Sequence, residues 1–194
     1  MIFPIGEWLL FSIGILAWLD EAIPKSLRIL PLSWLGGWIF EYFFSFSSTW
    51  NWFFPRIFVL LIIGEIAWRN LSERRIIPMF LAGGILVIQD LFLLNEPGIF
   101  PYDQWFFAFL FVLIAYLSST NLWGMVLGIT GGLMWSSFAT MFLFNGVVNY
   151  YEFPNNFLWH YSFAVVGGLS LLKFILGTLR ESIADEEKLL REDD

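Results

Sequence analysis

Seven runs of apolar residues, 2–19, 29–46, 53–68, 76–94, 100–118, 121–144 and 157–178, fill most of this 194-residue chain and constrain its fold more than any other feature. A helix needs about 20 mostly apolar residues to cross a hydrocarbon core of about 30 Å, and each run has that length or comes close to it. The runs are continuously apolar, without the alternation of a membrane β-strand. Because a backbone in lipid must satisfy its own hydrogen bonds, they predict helices. The expected fold class is an all-α integral membrane protein with seven transmembrane helices.

Composition argues for the same solvent. Apolar residues make up 58% of the chain and charged ones 14%, against roughly 25% charged in soluble domains. A water-soluble globule of this size would have to leave much of its apolar side-chain area on the surface. The first run lacks a basic leader, carries Glu7 and ends in Asp20-Glu21 rather than in small residues, so it reads as a retained helix and not as a cleaved signal.

The absence of cysteine removes disulfides, thiolate metal ligands and thiol catalysis, and one histidine is too few for a multi-histidine metal site. No intramembrane Gly-x-Ser-Gly nucleophile or adjacent glutamate pair occurs within the runs. The chain is therefore expected to be no enzyme and to need no metal or cofactor. Its formal charge of −7 comes from scattered acids and an acidic C-terminal stretch. That distribution offers no basic footprint for nucleic acid. The expected partners are the lipid bilayer and either further copies of this chain or another membrane protein.

Orientation follows from the basic residues. With the N-terminus outside, the inner loops hold Lys25 and Arg28, then Arg69, Arg74 and Arg75, and finally Arg180, Lys188 and Arg191. The outer side keeps Arg56 and gains Glu96, Asp103 and Glu152. This asymmetry satisfies the positive-inside rule, so the expected topology is N-out and C-in, in the plasma membrane. Trp8, Trp50, Trp52, Tyr102, Trp105, Tyr150, Tyr151, Trp159 and Tyr161 cluster toward the outer boundary, where aromatic rings commonly anchor at headgroup level.

An internal echo suggests duplication. Shifting the chain by 97 positions lays Ile2, Phe3, Pro4 and Trp8 onto Ile99, Phe100, Pro101 and Trp105. Nearby offsets lay Gly36-Gly37 onto Gly131-Gly132, and Arg56, Gly64 and Arg69 onto His160, Gly168 and Lys173. The expected organisation is one transmembrane domain over 1–180, with repeats 2–69 and 99–178 about a linker helix 76–94, followed by an acidic cytoplasmic tail 181–194. Reversal by the linker makes the two three-helix units parallel. This 3+1+3 architecture resembles that of the SWEET sugar exporters, although their Pro-Gln dipeptide is absent.

Three groups of residues stand out within the runs. Gly124, Gly128, Gly132, Ser136 and Thr140 place a small residue at every fourth position of the sixth run, a ridge along which another helix can approach closely. Glu41, Arg56, Asp90 and His160 lie toward the outer side and are the candidate ligand- or ion-binding residues, with Glu7 and Asp103 nearby and Glu41 with Arg56 as the expected ion pair. Ionisable groups in a transmembrane segment cost about 2.5 kcal/mol or more, so each one needs an explanation. Glu65 and Lys173 form an expected inner ion pair. Two functional classes fit these features. One is a small-solute or ion transporter with a polar site between the two three-helix units; the other is a sensor, chaperone or assembly subunit acting through helix–helix contacts.

Overall fold

The computed structural model describes residues 5–19, 21, 25–44, 50–71, 76–95, 103–119, 121–144, 146, 151–154 and 159–168. The described residues are predominantly α-helical. In chain order they form α1 (Ile5–Leu19), a 3₁₀ segment (Lys25–Ile29), α2 (Leu30–Phe43), β1 (Trp50–Trp52), α3 (Phe54–Asn70), α4 (Ile77–Asn95), α5 (Asp103–Ser118), α6 (Leu122–Leu143) and β2 (Tyr151–Phe153). Residues 159–168 form a further helical segment, α7. Each of the seven apolar runs thus contributes helix. The terminal echo at residues 2–4 and 99–101, Lys173 and the tail at 181–194 lie outside the described residues.

Helix lengths differ from the sequence expectation. Among the described residues, Leu122–Leu143 is the helix long and apolar enough to cross a membrane unaided; Ile5–Leu19, Ile77–Phe92 and Gln104–Ser118 are apolar but shorter. Local chemistry sets several of the ends. Proline sits in the first turn of both α2 and α3, where its missing N–H costs nothing and its fixed φ suits a helix. Asn121 caps α6 by accepting a hydrogen bond from the Gly124 backbone N–H at 2.7 Å. Arg28 closes the other end of α1: its Nε donates to the Ala17 carbonyl at 2.7 Å and its guanidinium lies over the Trp18 ring. A cation there suits the negative end of the helix dipole.

Two short strands qualify the all-α expectation. β1 and β2 pair in parallel, with Trp50 opposite Tyr151, Asn51 opposite Glu152 and Trp52 opposite Phe153. β1 lies just before α3 and β2 lies before α7 in the chain, the helices that occupy the same place in the two expected repeats.

The helices pack around one apolar cluster. Leu10, Leu30, Val59, Leu60, Ile63, Ala82, Leu86, Phe111, Val112, Ile129, Leu133, Trp159 and Phe163 all belong to it, so α1 through α7 each contribute. Close approach is made by glycine. The α-carbons of Gly83 on α4 and Gly132 on α6 face one another so tightly that a methyl at Gly83 would lie 2.9 Å from the Gly132 carbonyl oxygen and 2.5 Å from the Trp135 ring. Gly128 meets Pro78 of α4 and Ala115 of α5. The ridge of Gly124, Gly128, Gly132, Ser136 and Thr140 is buried along its length, and from Gly128 onward it faces α4. Gly37 of α2 lies against the Pro55 backbone of α3, and Gly14 of α1 against the Pro31 ring.

The outside of this bundle is also rich in apolar side chains. Large apolar side chains are exposed on α1, α2, α4, α5 and α6, among them Leu35, Leu81, Phe109 and Phe142. The two neighbouring glycines of α4 give a direct test of the packing. Gly83→Ala is expected to lower the midpoint of thermal unfolding in detergent, at a cost of roughly 1–3 kcal/mol for overpacking. Gly84→Ala, where nothing lies within 4 Å of the added methyl, is expected to leave it unchanged or raise it slightly through helix propensity.

Candidate functional site

Arg56 stands in the first turn of α3, where its charge opposes the positive end of the helix dipole, and Glu7 stands in the first turn of α1, where a carboxylate is favoured. The fold brings these two turns together. Arg56 Nε and Nη2 both donate to Glu7 Oε1, at 2.8 and 2.5 Å. The arginine side chain is 8% exposed and the glutamate 19%. The Arg56 guanidinium also covers the Phe53 ring at 4.5 Å, and Phe53 in turn meets Trp34 and Trp38 edge-on. The charge is therefore held between one carboxylate and one aromatic face.

His160 of α7 completes the junction. It is buried, and its Nδ1 accepts a hydrogen bond from the Gly6 backbone N–H at 3.4 Å, one of the N–H groups that a helix start leaves without an intrahelical partner. An accepting Nδ1 requires the proton of a neutral ring to sit on Nε2. Trp159 packs against the same turn: a methyl on Gly6 would lie 2.8 Å from its Nε1. That Nε1 is buried without a hydrogen-bond partner among the described residues.

A pocket of about 280 Å³ opens beside the ion pair. It is lined by Glu7, Trp8, Leu10 and Phe11 of α1, Leu30 and Trp34 of α2, Val59 of α3 and Trp159 of α7. It lies among α1, α2, α3 and the start of the described part of α7. The polar side-chain groups of its lining residues are the Glu7 carboxylate and the indole N–H groups of Trp8, Trp34 and Trp159.

The four candidate binding residues do not form one group. Arg56 and His160 meet at the α1–α3–α7 junction. Glu41 does not pair with Arg56 as the sequence suggested. Its carboxylate takes the backbone N–H of Phe54 at the start of α3, and its Oε2 is buried without a partner among the described residues. Glu7, by contrast, presents its carboxylate directly to the guanidinium. Asp90 belongs to the α4–α6 seam, where Thr140 Oγ1 donates to its Oδ2 at 2.6 Å. Next to it, Gln89 is 2% exposed, with Oε1 unpartnered among the described residues.

Glu65, expected on the inner side, accepts from Arg69 Nε at 2.7 Å one turn along the same helix. The expected partner of Glu65, Lys173, lies outside the described residues. Asp103 opens α5. Glu7 is the residue that sequence reasoning ranked too low: the signal available was a carboxylate inside an apolar run, and its partner lies 49 positions away.

No protein-family model, curated protein or solved structure matches this chain. The functional reading therefore rests on the geometry alone.

Removing one member of a buried ion pair strands the other, which costs roughly 3–5 kcal/mol, whereas replacing both by apolar side chains is often close to neutral. Arg56→Met is accordingly expected to lower stability in detergent by an amount of that order. The double variant Glu7→Leu/Arg56→Met is expected to recover most of the loss, and a double-mutant cycle on the unfolding midpoints measures the coupling.

Proposed function

We propose that this chain is a seven-helix integral membrane protein, N-out and C-in, that carries a small solute across the plasma membrane through the pocket beside Glu7 and Arg56. The observation that carries the reading is a largely buried ion pair whose glutamate, Glu7, stands in the wall of a ligand-sized cavity within a mainly apolar bundle. Ionisable groups among membrane helices are expensive and typically mark substrate or ion pathways. A pocket of this volume stands near the lower end of the roughly 300–1,000 Å³ typical of small-molecule sites.

Three features support the membrane setting. The outward faces of α1, α2, α4, α5 and α6 carry large apolar side chains, far more than the small patches a monomeric soluble protein exposes. Leu122–Leu143 has the length and apolarity of a span. Lys25, Arg28 and Arg69 lie along one cleft that also includes Glu65, Asn70 and Trp18, the side assigned to the cytoplasm. The parallel pairing of β1 with β2 supports the duplicated organisation, because units related by an axis along the membrane normal present equivalent segments running in the same direction.

One observation favours a second reading. The apolar cluster joins Leu60 and Ile63 of α3 to Ile129 and Leu133 of α6, beside a groove lined by both helices, which suits an assembly subunit or sensor whose units are held together through apolar contact. In that case the Glu7–Arg56 pair is a structural clasp.

The chain contains no cysteine, so single introduced thiols separate the readings. In sealed vesicles, Glu152→Cys is expected to react with an impermeant maleimide from outside, and Arg69→Cys only after permeabilisation. Leu10→Cys, in the pocket wall, is expected to react with a small charged thiosulfonate added to either side. Labelling of Leu10→Cys from neither side, or from one side only, would contradict transport and support the scaffold.

A further inference from the structure

We propose that the pocket beside Glu7 binds a small organic cation, held by the carboxylate and by the faces of the aromatic rings around it. This deepens the transport reading, and it rests on the Glu7 pocket being the solute site. The wall contains Trp8, Phe11, Trp34 and Trp159. Aromatic faces carry negative electrostatic potential, and several of them around one cavity favour a weakly hydrated cation such as a quaternary ammonium. The charged side chain in the wall is a carboxylate, and Arg56 is not among the residues lining the cavity.

The ion pair does not cancel this preference. Both arginine donors converge on Oε1, and Oε2 makes no hydrogen bond among the described residues. A cation beside Oε2 is nearer to the carboxylate than to the guanidinium, and in a site with little water the closer charge dominates. An anion would meet the reverse arrangement. A sugar would need several wall groups that both donate and accept, whereas the remaining lining side chains offer no acceptor and only the indole N–H groups as donors. Trp8 is 58% exposed and Phe11 39%, so the mouth opens on the outward face of α1. A ligand that enters there is expected to have an apolar body, and the volume suits one ring bearing an ammonium group.

The test uses the full-length purified chain in detergent, with binding measured calorimetrically for three probes: phenyltrimethylammonium, its neutral isostere tert-butylbenzene, and benzenesulfonate, each corrected for partition into empty micelles. The ammonium is expected to bind at least tenfold more tightly than either of the others. Glu7→Gln is expected to abolish that preference, and Trp34→Leu to weaken ammonium binding severalfold while leaving the ion pair in place. Circular dichroism and thermal unfolding report whether each variant is folded; should Glu7→Gln fail to fold, Trp34→Leu and the isostere comparison decide. Equal affinity for the ammonium and its isostere, or unchanged ammonium affinity in folded Trp34→Leu, would overturn the proposal. Uptake of radiolabelled phenyltrimethylammonium into proteoliposomes distinguishes the two levels. Tight, charge-selective binding without uptake would overturn transport and leave the ligand class standing, whereas two-sided labelling of Leu10→Cys without charge preference would overturn the ligand class alone.

Discussion

Large apolar side chains cover the outer faces of α1, α2, α4, α5 and α6, and the rest of the structure is shaped by what that surface must meet. If hydrocarbon surrounds it, burying more leucine against leucine gains little, because the solvent is as apolar as the core. Helix association must then come from close packing and from the few polar contacts. Both are present: glycine brings α4 against α6 and α2 against α3, and Glu7–Arg56, Asp90–Thr140 and Gly6–His160 tie distant parts of the chain together.

These polar contacts are distributed unequally. Asp90–Thr140 is fully enclosed between two helices that already fit closely, so its role is read most simply as fixing their register. Glu7–Arg56 sits at the edge of a cavity. Its arginine opposes a helix dipole, its glutamate leaves one oxygen without a hydrogen bond among the described residues, and a buried indole N–H beside it lacks a partner. The Glu7 oxygen left without a hydrogen bond is where the proposed cation would sit, so the ligand adds a charge–charge contact that the ion pair leaves open.

The apolar runs made the helices legible in the sequence, because continuous apolarity over this length has few other meanings, and the four-residue spacing from Gly124 to Thr140 marked the face of α6 that meets α4. The ends of the helices were less legible. Proline in the first turns of α2 and α3 and the Asn121 cap shift boundaries by a few residues, and the two strands before α3 and α7 give no alternating pattern in segments of three residues. Long-range pairing was the least visible. Nothing local distinguishes Glu7 from Glu41 as the partner of Arg56; the choice follows from the packing that brings the first turn of α1 onto the first turn of α3.

Whether lipid is the surrounding medium is most directly measured by spin-label accessibility. Single cysteines at Leu35, Leu81 and Phe109, each exposed on a different helix, carry a nitroxide in the protein reconstituted into vesicles, and relaxation is compared between molecular oxygen and a water-soluble nickel chelate. The account predicts strong relaxation by oxygen and almost none by nickel at all three positions. Strong relaxation by nickel at these positions would place the outer face in water and contradict it.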